Sequence, residues 1–196
     1  MNDMNLLTRK DLMSLEQYAE ERPAFRARVI EHKKHRRVPV GPHLNLYFED
    51  RLTIQYQVQE MLRIERIFEA GGIQEELDAY NPLIPDGRNL KCTAMLEYQD
   101  VDERRRQLGN LKGIENLVWA RVEGFDKVYA IANEDLERST EEKTSAVHFM
   151  RFEFSDAMVQ ALRGGAPLVF GVNHDLYSHE TTVGRETREA LLGDLE

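Results

Sequence analysis

The residues best suited to chemistry are one glutamate and two histidines, Glu65, His148 and His174. Glu65 lies in a segment whose apolar residues recur at helical spacing, and at about 100° per residue it falls inside their stripe. A carboxylate that faces a core must be neutralised, paired with a base or bound to a metal. With the two imidazoles it would form a ligand set suited to iron, manganese or zinc. The three residues define a candidate metal site, in which Glu65 could also transfer protons.

Each of these residues also has an ordinary structural interpretation. Glu65 could form an ion pair with an arginine from the sheet, such as Arg151. His148 alternates with apolar residues along its strand, where a histidine often serves only as a hydrogen-bonding group. His174 ends a predicted strand, and a short hairpin loop would bring it opposite His179. Spacing alone does not show that the three ligands converge, so both interpretations stay open.

The basic run His32–Arg37 is a second candidate site. The first 40 residues carry nine Lys/Arg and six Asp/Glu, whereas the rest of the chain carries seventeen and twenty-nine. Cationic side chains here could bind phosphate groups or an acidic partner. The alternative is a solvated helix end, where cations favour the negative end of the helix dipole. The residues expected to bind an anion or a partner are Lys33, Lys34, Arg36, Arg37 and His43.

Familiar catalytic signatures are absent from the sequence. It contains no glycine-rich phosphate loop, nucleophile elbow, His-Glu-x-x-His or Cys-x-x-Cys motif. The single cysteine, Cys92, lies in an apolar alternation, which favours a buried and unreactive thiol. Duplex nucleic acid is an unfavourable partner, because the net charge is −9 and no recognised reading motif is present.

Two helices are predicted near the amino terminus. Thr8–Asp11 fits a capping box that opens the first helix. This helix should stop near Arg22, because the residue before a proline disfavours helical geometry. Pro23 is suited to the first turn of the second helix, which ends in the basic run. An extended segment at Arg37–Val40 and a strand at Leu44–Phe48 follow.

The segment that carries Glu65 is expected to be one helix of about five turns. Asp50 would be its N-cap, and Gly71-Gly72 would close it after Glu69. The residues before Val58 alternate in a way that is also compatible with a strand. A shorter helix over Ile73–Asn81 should fold back beside the long one.

The second half of the chain predicts a mostly antiparallel sheet with flanking helices. The strands are expected at Leu90–Tyr98, Leu117–Val122, Val128–Ala132, Ala146–Phe154 and Leu168–His174. The helices are expected at Val101–Leu111, Asp156–Leu162 and Arg185–Leu195, and Asn133–Lys143 reads as an exposed loop. The sequence therefore predicts one α+β domain over residues 1–196, with N-terminal helices and a long helix packed against the sheet.

Composition and targeting signals point to the cytoplasm. No apolar run approaches the ~20 residues of a transmembrane helix. Residues 1–12 lack the apolar core of a secretory signal. One cysteine cannot form an internal disulfide, which fits a reducing compartment. We therefore expect a cytoplasmic protein that does not bind membranes.

Five stretches of the chain carry a family resemblance. They are Leu7–Leu12, Arg22–Arg26, Arg36–His43, Gln57–Arg63 with Glu65–Ile67, and Ile73–Leu77 with Tyr80–Asn81. Within them the chain resembles a bacterial family known as domain of unknown function 3501. The similarity runs from end to end, so the chain looks like a whole family member.

The resemblance implies a cellular setting but no reaction. The family has no established substrate or catalytic residues, so it assigns no role to any residue of this chain. It implies proximity to rubrerythrin-like and iron–sulfur proteins, and hence work linked to oxidative stress or iron.

Two hypotheses about function follow. The leading one is an accessory binding protein that contacts a redox or iron–sulfur protein partner through the basic run and the neighbouring helices. The competing one is a metal-dependent enzyme with Glu65 and His174 as ligands. A third and weaker reading is a small-molecule or anion pocket beside Arg37 and His43. The sequence leaves homo-oligomerisation open.

Overall fold

Two antiparallel sheets pack face to face in the computed structural model, which describes residues 5–196. The start of the segment inspected for a secretory signal lies outside these residues. In the described part of the chain, nine strands form the sheets: β1 Arg37–Val40, β2 Leu44–Phe48, β3 Asn89–Leu96, β4 Val118–Val122, β5 Val128–Tyr129, β6 Ile131–Ala132, β7 Val147–Glu153, β8 Leu168–His174 and β9 Tyr177–Thr182. The five-stranded sheet has the order β1-β2-β3-β7-β6, and the four-stranded sheet has the order β5-β4-β8-β9. The antiparallel pairing is confirmed, and so are the expected strands except one: Val128–Ala132 divides into β5 and β6, which belong to different sheets. Strand β9 was not predicted.

The main core lies between the two sheets. Side chains alternate along each strand, so that every second residue of β3 and β7 points inward. Phe170 of β8 meets two rings of the other sheet, Phe48 at 5.0 Å and Phe152 at 5.2 Å between centroids. Cys92 is buried in the same core, and burial raises the pKa of its thiol. The expected burial of the cysteine is confirmed.

Within residues 5–196, six α-helices flank the sheets: α1 Leu15–Lys33, α2 Arg51–Glu65, α3 Ala70–Tyr80, α4 Val101–Asn110, α5 Asp156–Arg163 and α6 Arg185–Leu192. The fold class is α+β, as predicted. No helix formed by residues 5–196 is long and apolar enough to cross a membrane.

The predicted break between two amino-terminal helices is wrong. The capping box at Thr8–Asp11 forms, but it closes only a single 3-10 turn, and α1 begins after its N-cap Ser14. The helix then continues through Pro23 to Lys33. Proline removes one helical hydrogen bond. We attribute the tolerance to packing, because Tyr18 and Phe25 are buried on either side of the proline.

Helix α2 begins as predicted and ends earlier than predicted. Asp50 is the N-cap, and its side chain accepts a hydrogen bond from the Thr53 amide. The helix ends at Glu65, because Arg66 adopts the left-handed conformation with φ 55°. Gly71 and Gly72 therefore do not close α2 but lie in the first turn of α3.

The hairpin between β8 and β9 corrects the expected histidine pair. Its turn contains only Asp175 and Leu176, so His174 lies opposite Tyr177, whereas His179 lies opposite Val172. The two imidazoles do not face one another, since a two-residue turn sets a different register from a four-residue loop.

A buried guanidinium connects the helices to the sheet and to the carboxyl terminus. Arg36 is only 3% exposed and forms ion pairs with Asp194 and, at 3.5 Å, with Asp50. It also donates to the carbonyls of Phe48 at 3.1 Å and Glu49 at 3.2 Å. Three parts of the chain therefore meet at one side chain.

Replacing Arg36 should destabilise the fold strongly. Arg36→Ala would remove the cation that pairs with the largely buried Asp194 and one of the two bases beside Asp50, which costs about 3–5 kcal/mol of unfolding free energy. Urea denaturation followed by circular dichroism measures this loss. Lys34→Ala is the matched control, because its ion pair with Glu31 is exposed, and it should cost less than about 0.5 kcal/mol. Equal denaturation midpoints for the two variants would contradict the role of Arg36.

Helices α1 and α2 are joined by an ion pair at Glu60. Its carboxylate accepts from Arg22 Nε at 2.6 Å and Arg22 Nη2 at 3.0 Å, and from the Tyr18 hydroxyl at 2.7 Å. These hydrogen bonds, with Arg22 the largest cause, lower the pKa of Glu60 to about 2.

This ion pair should make stability depend on acid pH. A carboxylate whose folded pKa is depressed stabilises the fold above its unfolded pKa, near 4.5, and loses that contribution as pH falls toward about 2. Glu60→Gln should therefore cost about 1–3 kcal/mol at pH 7, and the difference from wild type should shrink below pH ~4.5. Urea denaturation across this pH range measures it, with Glu16→Gln as an exposed control. A difference that stays constant down to pH ~2 would refute the assignment.

Candidate functional site

The proposed metal ligands lie in separate surroundings. Glu65 is exposed at the last residue of α2, and the stripe that appeared to contain it ends earlier, since Phe68 is 72% exposed beyond the helix. The predicted partner Arg151 instead contacts Glu134 and Glu153. Across residues 5–196 no three His, Cys, Asp or Glu side chains gather in a position to hold a metal ion.

The ring nitrogens of His148 and His174 lie within hydrogen-bond distance of other groups of the protein. His148 is buried, its Nε2 lies 3.0 Å from the Ser145 carbonyl, and its Nδ1 lies 2.9 Å from the Asn133 amide nitrogen. The carbonyl can only accept, so Nε2 carries the proton and Nδ1 accepts from Asn133. His174 accepts the Leu176 amide at Nδ1 and lies 3.3 Å from the Lys112 carbonyl at Nε2.

His148 belongs to a buried polar cluster that anchors the loop over residues 133–145. Glu115 accepts from the hydroxyls of Ser139 and Thr144, and Thr144 Oγ1 also lies 2.9 Å from His148 Nε2. Burial lowers the pKa of His148, against the opposing charge of Glu115. The cluster is enclosed, which favours a structural role for it.

Several side chains of the basic run make contacts within the protein. His32 Nε2 lies 2.5 Å from Asp50, Lys34 pairs with Glu31, and Arg36 is buried. Arg36 is therefore not placed where a partner could reach it. The side chain of Lys33 lines a depression described below.

Arg37 and His43 lie on the outer surface near strand β2. Arg37 donates to Asn45 at 3.0 Å and lies 5.9 Å from the centre of the Tyr47 ring. His43 stacks on Tyr98 at 4.0 Å, and its Nδ1 lies 3.0 Å from a backbone carbonyl. These contacts place the two residues on the same sheet but not around a common cavity.

A run of three exposed arginines, Arg104–Arg106 on α4, was not singled out from the sequence. One of them, Arg105, lies 3.9 Å from Asp102, with both side chains largely exposed. Such a pair contributes little, so this is a solvated basic surface.

The most developed concave feature is a groove on the outer face of the five-stranded sheet. It consists of two depressions, of about 520 Å³ and about 350 Å³. Both are lined by Tyr80, Leu83 and Phe149, so they are continuous. Concave and mainly apolar surfaces of this size are typical of ligand sites.

Strand periodicity builds the floor of the groove. In β3 the inward residues fill the core, and Lys91, Thr93 and Met95 point to the outer face. Phe149 of β7 lies directly opposite Thr93 in the register of the two strands. Ile131 of the edge strand β6 extends the floor and is 40% exposed.

One face of α2 and the segment after α3 form the opposite wall. Ile54, Gln57 and Met61 follow one another at intervals of three and four residues, so they share a helix face. Leu83 lies in the 3-10 turn that follows α3. Across from the helices, Glu134 of the loop over residues 133–145 contributes a third side.

The two cations in the larger depression have different surroundings. Arg151 donates hydrogen bonds from Nε and Nη2 to Glu134, at 2.7 Å and 3.0 Å, and from Nη1 to Glu153. Lys91 Nζ donates to the Pro82 carbonyl at 2.8 Å. Burial, with a smaller effect from the charge of Arg151, lowers the pKa of Lys91. Arg151 is thus neutralised locally, whereas Lys91 is a half-buried cation on which the more distant carboxylates of Asp86, Glu134 and Glu153 only partly offset the effect of burial.

The helical side of the groove is acidic. Glu76 of α3 lines the larger depression. Partial burial and the neighbouring charges of Glu65 and Glu75 raise its pKa. Of these three residues only Glu76 lines the depression, and together we call them the acidic rim. A ligand with a positive charge at this position would relieve their mutual repulsion.

Sequence reasoning missed this groove because its walls come from seven segments that are separated along the chain. One signal was available, since the outward positions of β3 and β7 include Met95 and Phe149, which are unusual on a solvated sheet face. Those residues indicate that something covers the face, but not which element does so.

Comparison with known proteins agrees with the sequence resemblance. The model of the family described as protein of unknown function (DUF3501) matches residues 6–195. A crystal structure described as a novel protein of unknown function from Burkholderia pseudomallei K96243 is 53% identical, with a TM-score of 0.92, over 97% of this chain and 99% of that one. A search of curated proteins gives no match. The chain therefore belongs to the DUF3501 family.

Proposed function

We propose that this protein is a binding protein that captures an extended segment of a partner protein in the groove. The observation that carries the proposal is the continuous apolar groove between sheet and helices, bordered on its helical side by the acidic rim. Two connected depressions suit alternate side chains of an extended peptide. The expected segment has apolar residues for the floor and Lys or Arg beside the rim.

The chemistry of the lining favours binding over catalysis. Much of the apolar surface of the groove comes from Met61, Tyr80, Leu83, Met95 and Phe149, which supply contact area for a ligand. Methionine-rich surfaces adapt to different apolar partners. This proposal keeps the accessory role expected from the sequence and moves it from the basic run to the groove.

The partner's identity remains a prediction. The family resemblance implied a redox or iron–sulfur protein, and such a partner would need an accessible apolar segment with a basic flank. Recognition would then depend on that segment and not on a metal held by Glu65, His148 and His174.

Peptide binding tests the proposed function. A fluorescent peptide of alternating leucine and serine with two lysines on one flank should bind about tenfold more tightly than the same peptide with two glutamates, since ~1.4 kcal/mol of charge complementarity gives a factor of ten. Fluorescence anisotropy measures both affinities. The preference should weaken at high salt, because the rim is partly exposed.

Two variants locate the binding site. Met61→Arg places a charge in the apolar groove and should abolish binding, while Glu76→Lys should reverse the preference for the lysine flank. Glu20→Lys, an exposed change on α1, is the matched control. The proposal fails if both peptides bind alike or if Met61→Arg binds as well as wild type.

A further inference from the structure

The environment of Lys91 indicates which part of a partner would enter the groove. Its ammonium lies on the floor of the larger depression and carries three donors. Within residues 5–196 one acceptor, the Pro82 carbonyl at 2.8 Å, is recorded for it. The neighbouring Arg151 differs, because Glu134 and Glu153 occupy its donors.

Unused donors on a half-buried cation require an acceptor. Water can supply one in the empty groove, but an apolar ligand would displace that water and leave the donors unmatched. A carboxylate on the ligand would satisfy them with charge-assisted hydrogen bonds. The lowered pKa of Lys91 is consistent with this cost of burial.

We propose that the groove recognises the carboxyl terminus of its partner, with the terminal carboxylate bound to Lys91 and basic residues upstream beside the acidic rim. This inference rests on the proposed peptide-binding function and adds the orientation of the peptide. Lys91 lies on the sheet side of the larger depression and Glu76 on its helical side. A ligand that satisfies both must carry a carboxylate and a cation separated by apolar groups, as a basic and apolar carboxyl-terminal peptide does.

A ligand that carried only a carboxylate would bind Lys91 but would leave the charge of Glu76 without a partner. A fatty acid would offer a carboxylate and an apolar chain, but it has no cation for Glu76. We therefore assign the site to a peptide terminus and use a fatty acid as a competing ligand in the test.

The test compares two forms of one peptide that differ only at the carboxyl terminus. The lysine-flanked, leucine-rich peptide is prepared with a free carboxyl terminus and as the carboxyl-terminal amide, which differs only in charge. With the intact protein the acid should bind about tenfold more tightly than the amide. Lys91→Met should remove that difference, and Lys91→Arg should retain most of it. Lys143→Met, an exposed lysine change, should leave it unaltered.

The outcomes separate this inference from the function on which it rests. Equal binding of acid and amide to the wild type would overturn the role of Lys91 and leave the groove as the site of an internal segment. Binding of neither form would overturn the peptide-binding function itself. Laurate that binds as tightly as the acid peptide would overturn the peptide terminus as the occupant. Because the first comparison uses only the wild-type protein, it holds even if Lys91→Met does not fold.

Discussion

The buried guanidinium of Arg36 determines how the helices meet the sheet. It neutralises Asp194 near the carboxyl terminus and Asp50 at the start of α2, while it holds the carbonyls that follow β2. A fully buried cation of this kind tolerates little displacement, because each lost contact leaves a charge unmatched. The ion pair with Asp50 therefore fixes the start of α2, the helix that forms one wall of the groove, against the end of β2.

The groove arises because the five-stranded sheet has two apolar faces and only one partner sheet. The inner face is covered by the four-stranded sheet, through contacts such as Phe152 with Phe170. On the outer face α2 and the end of α3 cover only part of the surface. The uncovered part contains Phe149 and Ile131 together with one incompletely satisfied cation, Lys91. Exposed apolar surface beside directed polar groups is typical of an interaction site.

Strand periodicity and local capping signals could be identified from the sequence. Tertiary packing that offsets an unfavourable local residue could not. The alternation in Leu44–Phe48 and the cap at Asp50 gave the correct elements, because they depend on neighbouring residues. Pro23 was misjudged because packing of α1 offset its local cost. Glu65 was misplaced because a left-handed Arg66 ended the helix where no glycine marked a stop. The groove itself depends on contacts between distant segments, which no local pattern encodes.

Methyl resonances offer the most direct measurement of the central claim, that the groove is the binding site. Met61 and Met95 line the groove, Met150 is buried in β7 directly at its floor, and Met13 lies away from it beside α1. We would titrate methyl-labelled protein with the lysine-flanked, leucine-rich peptide and follow the four methionine signals. The account predicts that Met61 and Met95 shift together with one dissociation constant, while Met13 stays in place. Shifts confined to Met13, or no shift at saturating peptide, would contradict it.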